Sequence, residues 1–257
     1  MTLRQQWVAF STIVTKEVMR FVRIWVQTVL PAMITMGLYF VIFGHLIGSQ
    51  LAPIQGYNYI EYIVPGIILM AIINNSYANV VSSFFSSKFQ RHIEEMLISP
   101  MPNYLILLGY VGGGMMRGLI VGVAVTAVAA VFANLHMHNL AVIVFVVILT
   151  SVLFSLAGLI NAIYAKTFDD ISIIPTFVLT PLTYLGGIFY SVNMLPSFWQ
   201  HVSLVNPILY MINAMRYGML GVSDIDVRLA LVIVVGFVVA LYLFALYLLR
   251  KGVGIRY

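Results

Sequence analysis

Charged residues divide this chain into long apolar runs. Residues 24–47, 62–86, 105–133, 140–164, 171–190 and 229–249 are nearly charge-free, and each approaches or exceeds the roughly 20 apolar residues a membrane-spanning helix needs. The pattern predicts an all-α membrane protein with six transmembrane helices in a single domain, residues 1–257. Pro53, Gly56 and Asn58 mark the loop after the first run, and Glu61 closes it. Residues 134–139 make a short turn.

Three segments carry a different pattern. In residues 3–23, Leu3, Trp7, Phe10, Val14, Val18 and Phe21 share one face at 100° per residue, with Lys16, Arg20 and Arg23 opposite. That predicts an interfacial amphipathic helix on the cytoplasmic leaflet, serving as an anchor or gripping a partner. In residues 88–98, Phe89, Ile93, Met96 and Leu97 oppose Lys88, Arg91, His92, Glu94 and Glu95, and Pro100 and Pro102 end the helix. Such a charged helix suits docking to a soluble subunit, or it is a solvated loop helix. Residues 198–205 and 208–220 are apolar but too short to span, which predicts short re-entrant helices before the last span. They form an external gate or simply close the outer face. Ser223 and Asp226 have the spacing of a capping box for that span.

Composition strengthens the membrane reading. Of 257 residues, 62% are hydrophobic and 8% charged, with a mean hydropathy of +1.03. A soluble domain carries about 25% charged residues, so lipid is the main solvent here. The net charge of +5 suggests no nucleic-acid partner, because the basic residues flank the apolar runs. Ten of the thirteen (Arg4, Lys16, Arg20, Arg23, Lys88, Arg91, Lys166, Arg250, Lys251 and Arg256) fall on one side, and Arg216 and Arg228 on the other. The positive-inside rule then puts both termini in the cytoplasm. Residues near Met1 lack the pattern of a cleaved signal peptide, so the mature chain is expected to start there. The absence of Cys excludes disulfides and thiolate chemistry.

Isolated polar residues are the remaining candidates. Asn74, Asn75 and Asn79 lie in the second run with Ser76, Tyr77, Ser82 and Ser83, as interhelical bonds or as a pathway lining. Arg117 interrupts the third run, either buried or snorkelling to the cytoplasmic headgroups, with snorkelling favoured. Glu61 reads as interfacial, and His136 with His138 makes no metal site alone. Pro65, Pro175 and Pro181 hint at paired irregular helices in spans two and five. The chain lacks a phosphate-binding P-loop, hydrolase motifs and a nucleophile–base pair, so it is not read as an enzyme. A transporter without its own energy source remains, with a secondary carrier or a membrane scaffold as alternatives.

The stretch from Pro181 to Gly221 carries Pro181, Gly187, Phe189-Tyr190, Leu195-Pro196, Asn206-Pro207 and Arg216 in order. With Tyr62-x-x-Pro65-Gly66 and residues 95–100 (EMLISP), it resembles the ABC type-two permease family, the membrane subunits of bacterial exporters for drugs and polysaccharides. The resemblance implies a homodimer in the bacterial inner membrane, each copy joined to a cytoplasmic ABC ATP-binding subunit. ATP and Mg would sit in that partner, with no cofactor in this chain. Residues 88–100 would form the coupling helix, with Lys88, Arg91, His92, Glu94, Glu95, Ser99 and Pro100 toward the ATPase. Pro196, Asn206, Pro207 and Arg216 would belong to the outer re-entrant gate. Spans two and five would bound the path, making Asn74, Asn75, Phe189 and Tyr190 its candidate lining. The sparse polar lining favours amphipathic, lipid-linked or drug-like cargo over small ions.

Overall fold

The computed structural model describes residues 1–254; Arg256, counted above among the cytoplasmic charges, lies outside them. Among the described residues the regular secondary structure is all helical, apart from one isolated bridge between Ile54 and Tyr57. We number the main helices α1 (Leu3–Arg23), α2 (Trp25–Gln50), α3 (Tyr59–Phe89), α4 (His92–Ile98), α5 (Asn103–Phe132), α6 (Leu140–Tyr164), α7 (Asp170–Leu185), α8 (Ser197–Leu204), α9 (Pro207–Leu220) and α10 (Val227–Lys251). Five of them, α2, α3, α5, α6 and α10, are long and apolar enough to cross a bilayer.

The fifth predicted run differs. Residues 171–190 were expected to span, but α7 stops at Leu185, about 24 Å from its start at 1.5 Å per residue. Pro175 and Pro181 each remove a backbone donor, and residues Pro175–Leu179 widen into a π turn. Thr180 Oγ1 donates to the Pro175 carbonyl at 2.9 Å, satisfying a group the irregular turn leaves free. Gly186 and Gly187 then end the helix, Gly187 at φ +80°, a backbone conformation glycine adopts without strain.

α3 is the core of the molecule. In its most apolar stretch 83% of residues are buried, against 17–39% in the other four long helices. It starts earlier than the charge pattern predicts, because the Glu61 carboxylate accepts from the Asn58 backbone N–H at 3.3 Å and joins the first turn. α5 and α6 pack against it through small residues. A Cβ on Gly158 would lie 2.6 Å from the Tyr77 carbonyl, so only glycine lets α6 come this close. Asn161 Nδ2 donates to Tyr77 Oη at 2.7 Å beside that contact. Lipid has no hydrophobic preference between helices, so this close fit supplies the association.

α1 is not held by lipid alone. It runs alongside the first half of α5, where Tyr104 Oη donates to Gln6 Oε1 at 3.0 Å and Ile13 and Glu17 sit on Gly109 and Gly113. Its buried stripe is Ile13, Glu17 and Phe21, while Leu3 and Trp7 of the predicted apolar face stay exposed. The α5 glycines decide this, since they let two helix backbones approach closely.

Candidate functional site

On the side of the Lys88 turn, α3 ends at Phe89, and Arg91 takes the left-handed conformation at φ 61° before α4 begins. The single predicted helix over residues 88–98 is therefore two pieces. Lys88 belongs to α3 and is buried; its Nζ donates to the carbonyls of Ile163 and Ala165, each at 2.6 Å, at the C-terminal end of α6. The α6 end attracts a cation there, because its last carbonyls lack helical partners. Lys88 is thus not available to a docking partner, and Phe89 packs on Phe168, ring centres 5.2 Å apart and the rings tilted by 59°, instead of joining the α4 apolar face.

α4 itself has the predicted polarity. Ile93 is fully buried, Met96 and Leu97 pack against the core, and Arg91, His92, Glu95 and Pro100 are exposed. Glu94 is half-buried, and Glu94 and Glu95 fall in the first turn, where the helix dipole favours acids. Ser99 ends the helix in an extended conformation, its Oγ donating to the Met96 carbonyl at 2.6 Å. Ile98 stays 85% exposed, an apolar tip on a charged surface.

A polar network lies between α1, α3 and α5. Glu17 is fully buried and accepts from Ser83 Oγ at 2.6 Å. Its other oxygen faces Arg20 Nε at 3.5 Å. Arg20 Nη2 donates to both the Asn79 carbonyl and Asn79 Oδ1 at 2.9 Å. One turn along α3, Arg117 Nη2 donates to Asn75 Oδ1 at 3.0 Å. Arg117 therefore turns inward to the second span and does not snorkel outward: an unpaired asparagine carbonyl in a low-dielectric site outbids the reach to water. Arg20, assigned from periodicity to the polar face of α1, is likewise turned inward. Glu17 does not stand out in the hydrophobic pattern, although an acid four residues from both Ile13 and Phe21 lies on their face of the helix.

The other pathway candidates sit elsewhere. Phe189 stacks on Phe43 at 4.6 Å and lies near Tyr39 and Tyr184. Tyr190 Oη donates to the Tyr184 carbonyl at 3.0 Å. Tyr59, Phe189 and Tyr190 line a cleft of about 660 Å³ together with Leu51, Ile54 and Asn193. Tyr59 Oη donates to the Phe189 carbonyl, and Asn75 lies about 24 Å further along α3. Asn74 and Asn75 on one hand and Phe189 and Tyr190 on the other are thus two separate groups.

Before the last span, Pro196 precedes α8 and Pro207 opens α9, where a missing N–H costs nothing. Asn206 caps α9, accepting from the Ile208 N–H at 3.0 Å, and donates to the Leu182 carbonyl at 2.6 Å. Arg216 is not an outer loop charge. It is fully buried, its Nη2 donating to the Gly187 carbonyl at 2.7 Å and its guanidinium lying 4.0 Å from the Tyr62 ring centre. Asp224 stands 3.8 Å away and accepts from Ser191 Oγ at 2.8 Å and the Val192 N–H at 3.2 Å. The predicted Ser223–Asp226 box does not form: Asp226 caps α10 directly, accepting from the Leu229 N–H at 3.0 Å, and Ser223 Oγ donates to the Ile225 carbonyl. His136 and His138 pack on Tyr57 and Tyr217.

Comparison with known proteins decides what this arrangement belongs to. The profile described as ABC-2 type transporter matches residues 8–220. Inner membrane transport permease YadH of Escherichia coli K12 is 54% identical over 250 residues, which covers 97% of this chain and 98% of that one. This chain belongs to the ABC-2 type transporter family. Nodulation protein J of Rhizobium meliloti is similar at 25% identity over 187 residues, 72% of this chain and 71% of that one. Nodulation protein J of Rhizobium leguminosarum bv. viciae shares 24% over 209 residues, 81% of each.

As an ABC-2 transporter permease, the chain is a multi-pass membrane protein. The matched region runs from within α1 to the end of α9, so it contains α4, the Glu17 network and the buried Arg216. α10 lies outside it.

Proposed function

We propose that this chain is the permease half of an ATP-driven exporter that receives its work at α4 from a separate ABC ATP-binding subunit. One observation carries the reading. α4 is a short helix set off from the core helix by a left-handed residue, anchored by a fully buried Ile93 and presenting Arg91, His92, Glu95 and Pro100 outward. A rigid, charged lever joined to the most buried helix transmits a push better than a solvated loop. Glu94 and Ser99 flank the same surface, whereas Lys88 serves the end of α6. ATP and Mg would be held by the partner.

In this reading both termini are cytoplasmic and α7 completes six crossings. Its 24 Å is short for a bilayer core of about 30 Å, and a short helix is accommodated by thinning or by snorkelling of flanking residues. Two copies would form the pathway, in the inner membrane as YadH's name has it. The cargo would be amphipathic, lipid-linked or drug-like, matching exposed apolar walls with few polar groups. Asn74, Asn75, Phe189 and Tyr190 remain its candidate lining at two levels, and Pro196, Asn206, Pro207 and Arg216 support the outer closure.

Reconstitution with a cognate ABC ATP-binding subunit tests this. Arg91→Glu, Glu94→Lys and Glu95→Lys should each leave the permease folded while lowering transport per ATP hydrolysed at least several-fold. Three silent reversals, or export persisting without any ATPase, would overturn it; the second result would favour a secondary carrier, for which the buried Glu17 is the coupling candidate.

A further inference from the structure

The Glu17 network holds more positive charge than it uses. Arg20 and Arg117 approach α3 at Asn79 and Asn75, residues one helical turn apart on the same face. Glu17 faces Arg20, but among the described residues no carboxylate lies within 4.0 Å of Arg117. Of the two guanidinium groups, only that of Arg20 has a carboxylate beside it. Unused donors accompany that excess. Arg117 Nε is buried without an acceptor, and so is Asn79 Nδ2 on a fully buried side chain. Glu17 Oε2 is likewise buried without a hydrogen bond, so these enclosed atoms face one another's charge, and the donor left open toward an incoming anion is Arg117 Nη1, which makes no hydrogen bond and is not enclosed.

The location narrows what that anion is. Arg20 is 33% exposed and Arg117 half-buried. Both flank the partly exposed stripe Asn74, Ala78 and Ser82 of α3. Trp25, 56% exposed, begins α2 just beyond Arg23, and tryptophan marks the headgroup level of a bilayer. An anion reaching this level from the side carries an apolar part, because lipid surrounds the helices. Planar guanidinium groups recognise phosphate with paired hydrogen bonds.

We propose that Arg20 and Arg117 form a binding site for the phosphate of an anionic amphiphile at the cytoplasmic headgroup level. Arg117 supplies the free charge, Arg20 is held ready by Glu17, and Asn75 and Asn79 keep both guanidinium groups aimed along α3. The depth rests on the orientation proposed above; the binding does not, and needs no ATPase. Two sources offer this chemistry: a phospholipid of the leaflet, or cargo carried on a lipid phosphate.

The test uses the purified full chain in neutral detergent, titrated with phosphatidylglycerol, with a polyprenyl phosphate and with diacylglycerol as the uncharged control. The unfolding midpoint reports binding. At least one anionic probe should stabilise the chain beyond the control, and Arg117→Gln should weaken its apparent affinity about tenfold, as loss of a charge-assisted hydrogen bond does. Arg117→Lys should lose less, and Arg23→Gln, at an exposed position, nothing. Asn75→Asp keeps the shape but neutralises Arg117, so it should weaken binding even if Arg117→Gln fails to fold. Preference for the polyprenyl phosphate assigns the site to cargo; equal or stronger binding of phosphatidylglycerol assigns it to the leaflet. No gain over diacylglycerol, or wild-type affinity in Asn75→Asp, overturns the proposal.

Discussion

Glu17 shows how a single side chain can organise this protein. It is fully buried, bonded to Ser83 and paired with Arg20. Removing one member of a buried pair leaves the other uncompensated, at a cost of about 3 kcal/mol or more. Arg20 keeps partial solvent access, so the loss falls at the lower end. Glu17→Ala should therefore lower the unfolding free energy in detergent by about 2–3 kcal/mol, while the double variant Glu17→Leu with Arg20→Met should recover part of it. Additive effects of the two changes would show that the pair is not coupled. Arg216 makes the parallel case on the other side: Arg216→Met leaves Asp224 buried without its cation and the Gly187 carbonyl without its donor. It should destabilise by a similar amount, read in the same unfolding assay.

At the scale of elements, the contacts between helices rest on small residues and on helix ends. Gly113 lies against Glu17, so Gly113→Leu should push α1 away from α5. The chain has no Cys, so a Gln6→Cys, Tyr104→Cys pair gives a clean readout. A short bifunctional thiol reagent, spanning the gap left by the two long side chains that meet at 3.0 Å, should cross-link the pair in the parent and markedly less in Gly113→Leu. Lys88→Met removes the cation from the end of α6 and leaves carbonyls of Ile163 and Ala165 without their donor. The expected loss is about 1–3 kcal/mol for unsatisfied buried groups, with little change at α4. A variant as stable as the parent would mean that water satisfies those carbonyls equally well.

For the whole molecule, the open matter of geometry is how many times the chain crosses. Single cysteines placed at Ile98, Asn193 and Val253 should separate under a membrane-impermeant thiol reagent applied from outside: only the Asn193 position should react in intact cells. Protection at Asn193 together with reaction at Val253 would show five crossings instead of six. Much of this scale was readable beforehand. The long apolar runs became α2, α3, α5, α6 and α10, with ends shifted by a few residues where Glu61 or the Arg91 turn intervened. α7 shortened because two prolines and a Gly-Gly ending disrupt a helix that hydropathy alone extends to residue 190. The polar candidates divided differently. Arg91, His92 and Glu95 lie exposed as the pattern of residues 88–98 expects, while Lys88, Arg117, Arg20 and Arg216 each went where a specific acceptor stood.

The sequence by itself determined that this is a helical membrane protein, where its long helices run, and that the segment 88–98 carries a charged face, although its helix begins only at His92 and Lys88 belongs to α3. Those features follow from local periodicity and from the cost of placing charge in lipid, which every neighbouring residue reports. Only the tertiary structure decided the partners of its buried charges. A guanidinium or ammonium group reaches several ångströms from its helix and settles on whichever carbonyl, carboxylate or ring faces it. That choice depends on packing between segments distant in sequence: α1 on α5, the end of α3 on the end of α6, and α9 on the turn after α7.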